Sequence, residues 1–114
     1  MIPDGYVPDR GDAVWISPTP REGGEQAGRL QALVISSSAY NGKVGLALLC
    51  PIIARLKGYP FEVPIPARMK VSGAVLSDQV KSMDWRALDA TLICRLPEAT
   101  VSEVLRKAAT LLSK

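Results

Sequence analysis

The chain has 114 residues, 47% of them hydrophobic and 22% charged, enough for one domain with a real core and too apolar for intrinsic disorder. Fourteen Lys and Arg against eleven Asp and Glu leave a formal charge of +3, compatible with a nucleic-acid partner without requiring one. Histidine is absent, which excludes Ser-His-Asp and Cys-His nucleophiles, paired-histidine RNA cleavage and imidazole metal sites. The two cysteines, Cys50 and Cys94, sit in apolar runs and are too few for a tetrahedral sulfur site, so no metal and no cofactor is expected. The longest apolar runs fall far short of a membrane span, and the first residues lack a basic-then-apolar leader pattern. The expectation is a soluble cytoplasmic protein with no membrane partner.

Residues 1–10, with Pro3, Gly5 and Pro8, read as an irregular lead-in. Residues 11–17 (GDAVWIS) predict a first strand with Trp15 in the core, closed by Pro18 and Pro20. The polar, Pro/Gly-rich segment 18–29 is long for a strand connection, and loops of that length are often binding or catalytic. A second strand over 30–37 is apolar on both faces and hence central. Asn41-Gly42 within Tyr40–Lys43 predicts a hairpin turn. Residues 44–53 predict a third strand, interrupted or bulged at Pro51, and 61–65 an edge strand carrying Pro64. Strands over 71–80 and 90–96 complete the β set.

Val101, Val104, Leu105, Ala108, Leu111 and Leu112 recur at helical spacing, with Pro97 in the first turn and Thr100–Glu103 as a capping box. The polar side, Glu103, Arg106 and Lys107, is expected to face solvent. The predicted fold is mostly β (α+β): a single domain over residues 1–114, a small antiparallel barrel or strongly curved sheet closed by a C-terminal helix.

Four segments, in order and spanning most of the chain, carry a family resemblance. They are residues 10–15 (RGDAVW), 23–36 (GGEQAGRLQALVIS), 57–63 (KGYPFEV) and 78–87 (DQVKSMDWRA). The set resembles MazF/PemK-type toxins. That resemblance implies an SH3-like, plasmid-maintenance-toxin barrel that forms a homodimer. It also implies a metal-independent endoribonuclease that cuts single-stranded mRNA at short sequences and leaves a 2′,3′-cyclic phosphate and a 5′-hydroxyl. Its partner is a cognate acidic antitoxin of a toxin–antitoxin module.

Three positions depart from the family pattern. The Arg-Pro that usually precedes the second strand is Leu30-Gln31, a Thr near the bend of the third strand is Ile53, and an Arg that some relatives place two residues before Asp78 is Leu76. Leu30 and Ile53 are expected to pack into the core. On the family's chemistry Glu25, between loop glycines, is the candidate base for the 2′-hydroxyl. Arg29, one residue before the family's Arg position, is the candidate phosphate clamp; in a regular strand that shift turns a side chain to the other face. Gln26, Asp78, Gln79, Lys81, Ser82 and Arg86 are the candidate RNA contacts, Gln79 reading base edges and the cations meeting phosphates. Asp78 equally suits a turn cap. Tyr40, Tyr59 and Trp85 are available for base stacking or for burial. Two alternatives stay open: a non-enzymatic toxin of the same fold that poisons DNA gyrase through its C-terminal helix end, and a catalytically degenerate, antitoxin-binding member.

Overall fold

Runs rich in Val, Ile, Leu and Ala, punctuated by Gly, Pro and Asn, form seven strands and two helices in the computed structural model, which describes residues 5–17 and 28–113. In chain order these are β1 (Asp12–Ile16), β2 (Leu30–Val34), α1 (Ser38–Val44), β3 (Ala47–Ile53), β4 (Glu62–Pro64), β5 (Ala74–Leu76), β6 (Lys81–Met83), β7 (Thr91–Arg95) and α2 (Glu98–Thr110). Every pairing is antiparallel, in the order β4-β5-β3-β2-β1-β7, with β6 also on β3. The mostly-β sheet with a C-terminal helix is the predicted class. β2 is central, and β4, carrying Pro64, is an edge strand, both as predicted.

Strand alternation divides the interior in two. Ala13, Leu33, Cys50, Ile52, Val63 and Val75 bury one face, and Val101 and Val104 of α2 cover it. Val14, Ile16, Ala32, Val34, Ala47 and Leu49 bury the other, with Trp85 packed against them. Leu33, Val14 and Val34 are fully buried, so truncating Leu33 to Ala costs about 2–5 kcal/mol. Lys107 ties α2 to the edge of the sheet, its Nζ donating to the Pro60 and Glu62 carbonyls at 2.7 and 3.1 Å. It therefore leaves the solvent-facing set, whereas Glu103 and Arg106 pair with each other on the exposed side as expected.

The key feature for the site lies along β3. One edge pairs with β2 throughout, Ala32↔Pro51 and Leu33↔Cys50. The other edge pairs with β6 at Ala47–Leu49 and with β5 at Ile52 and Ile53. Pro51, which lacks an N–H, falls where that edge changes partner, so β3 continues through it without interruption. The β5–β6 connection turns this corner.

Several expectations are corrected. Tyr40–Lys43 is not a hairpin turn but the middle of α1, capped by the Ser37 hydroxyl and ended by Gly45 at φ 84°. β3 accordingly begins at Ala47, and β2 ends at Val34. The 71–80 segment supplies only β5, and β6 is a separate strand. The Thr100–Glu103 capping box does not form, because α2 starts earlier, at Glu98 after Pro97, and Thr100 is buried inside it. Leu30 does not enter the core; it is 54% exposed. Trp15 is half-buried rather than core, while Trp85 is buried, its indole N–H donating to the Asn41 carbonyl at 3.0 Å.

Candidate functional site

Ser77 and Asp78 make the turn between β5 and β6. Ser77 is fully buried, and its hydroxyl and N–H both reach the Phe61 carbonyl, at 2.6 and 3.0 Å, pinning the corner to the chain before β4. The Asp78 carboxylate accepts a hydrogen bond from the Tyr59 hydroxyl. That bond, then partial desolvation and the carboxylate charge, raises the ionisation of Tyr59 above its ordinary value. Behind the corner, burial followed by the charge of Asp78 pushes the Cys50 thiol up to about 12, so it is no nucleophile.

Two hollows flank this corner. A small cleft of about 70 Å³ on the β6 side is lined by Leu30, Pro51, Leu49, Met83 and Lys81. Lys81 is its one charged lining residue among the described residues. A larger cavity of about 480 Å³ on the β5 side is lined by Ile53, Leu76, Tyr59, Gln79 and Lys57. Its loop is held by Glu62, whose buried carboxylate accepts the backbone N–H groups of Lys57, at 2.9 and 3.0 Å, and Gly58, at 3.2 Å. The sequence reading missed Glu62, Ser77 and the Tyr59–Asp78 tie. An acid four residues after a loop glycine is too common a pattern to single out.

Cross-strand partners in a ladder share a face, which settles where the departing positions lie. Ile16 pairs with Leu30, and Ala32 with Pro51; carried two residues outward, the second register sets Leu30 across from Ile53. Ile53 pairs with Ala74 on β5, two residues before Leu76. Leu30, Ile53 and Leu76 thus share one face, and the positions at which the resemblance implies polar chemistry form an aliphatic strip. Arg29 does not restore the lost charge there. Trp15 pairs with Gln31 on the opposite face, and the Arg29 guanidinium lies over the Trp15 ring, 4.4 Å from its centroid.

The corner brings Asp78, Gln79 and Lys81 together. Ser82, opposite Leu48, points to the other face of β6 from Lys81. Arg86 stands apart, over the Trp85 ring at 4.8 Å, beyond a turn in which Asp84 accepts the N–H groups of Arg86 and Ala87 at 3.1 and 3.0 Å. Glu25 and Gln26 lie outside the described residues. Among the described residues no cluster of three or more His, Cys, Asp or Glu is placed to hold a metal ion, and no helix is long and apolar enough to cross a membrane. What the corner offers is a cation, a carboxamide, an exposed aromatic ring and an apolar floor. That combination recognises a polyanion bearing planar bases.

Residues 9–112 match the family described as the PemK-like, MazF-like toxin of type II toxin–antitoxin systems. The chain is 48% identical over 86 residues to the endoribonuclease toxin MazF of Escherichia coli K12, covering 75% of this chain and 77% of that one. It is 38% identical over 104 residues to the endoribonuclease toxin ChpB of the same strain, covering 85% and 87%. Its fold superposes on crystal structures of MazF and of a MazE–MazF complex from Deinococcus radiodurans, both with TM-score 0.83, at 50% and 45% identity. Each match covers 94% of this chain, and 97% and 96% of the other.

Proposed function

The chain belongs to the PemK-like, MazF-like toxin family of type II toxin–antitoxin systems, and we propose from that premise that it is an endoribonuclease cutting single-stranded mRNA at a short sequence without a metal ion. The observation that carries the reading is the β5–β6 corner, where Gln79 and Lys81 open onto two hollows on one face beside the exposed ring of Tyr59. Three needs define the chemistry: a base for the 2′-hydroxyl, charge on the phosphate and a proton for the leaving oxygen. Glu25 takes the 2′-hydroxyl proton. O2′ then bonds to phosphorus, the P–O5′ bond breaks, and the 5′ oxygen leaves protonated beside a 2′,3′-cyclic phosphate.

Lys81 meets the phosphate charge from the cleft beside Leu30. Arg29, on the other face with Trp15, contacts RNA further along the strand, as do Gln26, Asp78, Ser82 and Arg86. The working unit is a cytoplasmic homodimer of this single toxin domain. The structural relatives crystallised as MazE–MazF complexes support an acidic antitoxin as its partner, ordering over the basic groove on binding.

The test is incubation of the purified protein with long single-stranded RNA in excess EDTA, with the ends mapped. Discrete cuts at one short motif ending in cyclic phosphate are expected. Intact RNA from a folded sample would favour the second reading, which the aliphatic strip of Leu30, Ile53 and Leu76 supports. In that case the chain binds its antitoxin, or gyrase, and does not cut.

A further inference from the structure

The 480 Å³ cavity on the β5 side of the corner has no part in the bond-breaking steps above. We infer that it is a nucleobase subsite, holding one unpaired base of the bound RNA between the Tyr59 ring and the Gln79 side chain over a floor of Ile53 and Leu76. This rests on the RNA reading and adds to it the residues that set sequence preference.

The size fits, within the range of about 300–1,000 Å³ typical of small-molecule sites. The chemistry fits as well. Tyr59 is 45% exposed, so a face of its ring is open, yet the ring is not free to swing. Its hydroxyl is tied to Asp78, and Phe61 packs beside it with ring centroids 6.0 Å apart. An aromatic wall of this kind holds a base by stacking, whatever the base. Gln79 supplies the discrimination, because a carboxamide presents both a donor and an acceptor to a base edge. Ile53 and Leu76 make the floor apolar where the resemblance implies Thr and Arg. The departures that remove polar chemistry thereby add a surface suited to the flat side of a base.

The loop carrying Tyr59 is preformed. From one side the Glu62 carboxylate holds the Lys57 and Gly58 N–H groups, and from the other Lys107 of α2 holds the Pro60 and Glu62 carbonyls. Gly58, at φ 79°, makes the tight passage between them. A ligand entering such a site does not have to order the loop, which lowers the cost of binding. With both of its oxygens engaged by the loop, Glu62 does not repel the RNA by pointing into the cavity.

The experiment reads preference independently of cleavage. A pool of single-stranded RNA of random sequence, 2′-O-methylated throughout so that it is not cut, is bound to the full chain, and the bound fraction is sequenced. Wild type, Gln79→Glu and Tyr59→Ala are compared. An ionised Glu only accepts hydrogen bonds, so Gln79→Glu is expected to move the preference at one position toward the donor-rich Watson–Crick edge of guanine and leave the other positions unchanged. Tyr59→Ala is expected to weaken binding by about 5- to 100-fold, as loss of one base–aromatic stack does. Wild-type preference and affinity retained in both variants would overturn the subsite, as would a wild-type bound pool with no base preference. If wild type fails to cut unmodified RNA while Gln79→Glu still moves the bound-pool preference, the cleavage reading falls and the subsite stands.

Discussion

Arg29 stacks on Trp15, and this contact places the guanidinium on the opposite face of the sheet from Leu30, its neighbour in the chain. A cation one residue away in sequence is thus a full sheet thickness away in function. The cleft beside Leu30 keeps Lys81 and lacks a bidentate donor. Because Leu30 is 54% exposed, Leu30→Arg is expected to change stability by no more than about 0.5 kcal/mol. The same change is expected to raise the single-turnover cleavage rate about tenfold or more, since one donor aimed at transition-state charge contributes about 10²–10³. An unchanged rate would show that charge at this position does not limit the reaction.

The central place of β2, the edge place of β4 and the C-terminal helix were legible because each rests on a strong local pattern: an apolar run, a proline, a 3.6-residue period. Asn41-Gly42 misled because the turn signal competes with a better use of Asn41. Its side chain is buried, holding Ser36 and the Pro8 carbonyl, and Ser37 and Gly45 cap the short helix around it. The relation between Arg29 and Leu30 was stated in the sequence only as a parity question. The β1–β2 register answers it, and register is set by the whole sheet. The Tyr59–Asp78 tie spans 19 residues and had no local signal.

Asn41 is the polar keystone between the lead-in, α1 and Trp85. Its Oδ1 accepts from the Ser36 hydroxyl at 2.6 Å, and its Nδ2 donates to the Pro8 and Ser36 carbonyls at 2.8 and 3.0 Å. Asn41→Ala strands these buried groups, with a cost of about 2–3 kcal/mol expected. Urea unfolding followed by tryptophan fluorescence measures it, since the Trp85 indole is bonded to the backbone carbonyl of Asn41 and stays in place. A loss below about 1 kcal/mol would mean that water replaces the carboxamide.

Gly73 and Gly58 both sit at positive φ, 110° and 79°, but their surroundings differ. A Cβ at Gly73 would overlap the Ile53 carbonyl, whereas one at Gly58 meets nothing within 4 Å. Gly58→Ala is expected to cost about 1–2 kcal/mol, the conformational penalty alone. Gly73→Ala must push β5 from β3 and is expected to exceed that by several-fold or to prevent folding. Equal melting temperatures for the two variants would show that β5 shifts without cost.

The Tyr59–Asp78 bond also sets an alkaline limit. Accepting the Tyr59 hydroxyl, Asp78 holds its ionisation above the ordinary value near 10. A group whose ionisation is raised on folding contributes stability that is whole below its unfolded value and is lost as pH rises through the folded one. The tie therefore operates fully at neutral pH and fails only on the alkaline side. Ultraviolet titration of the tyrosinate band checks this against Asp78→Asn, in which one tyrosine is expected to ionise at lower pH. Tyr6 is raised for a separate reason, burial and then its bond to Asp12, and its transition is expected to stay where it is. The difference between the two curves thus isolates Tyr59. Superimposable curves would mean that the hydroxyl and carboxylate are not joined in solution, and that the ring bordering the β5-side cavity is held by Phe61 alone.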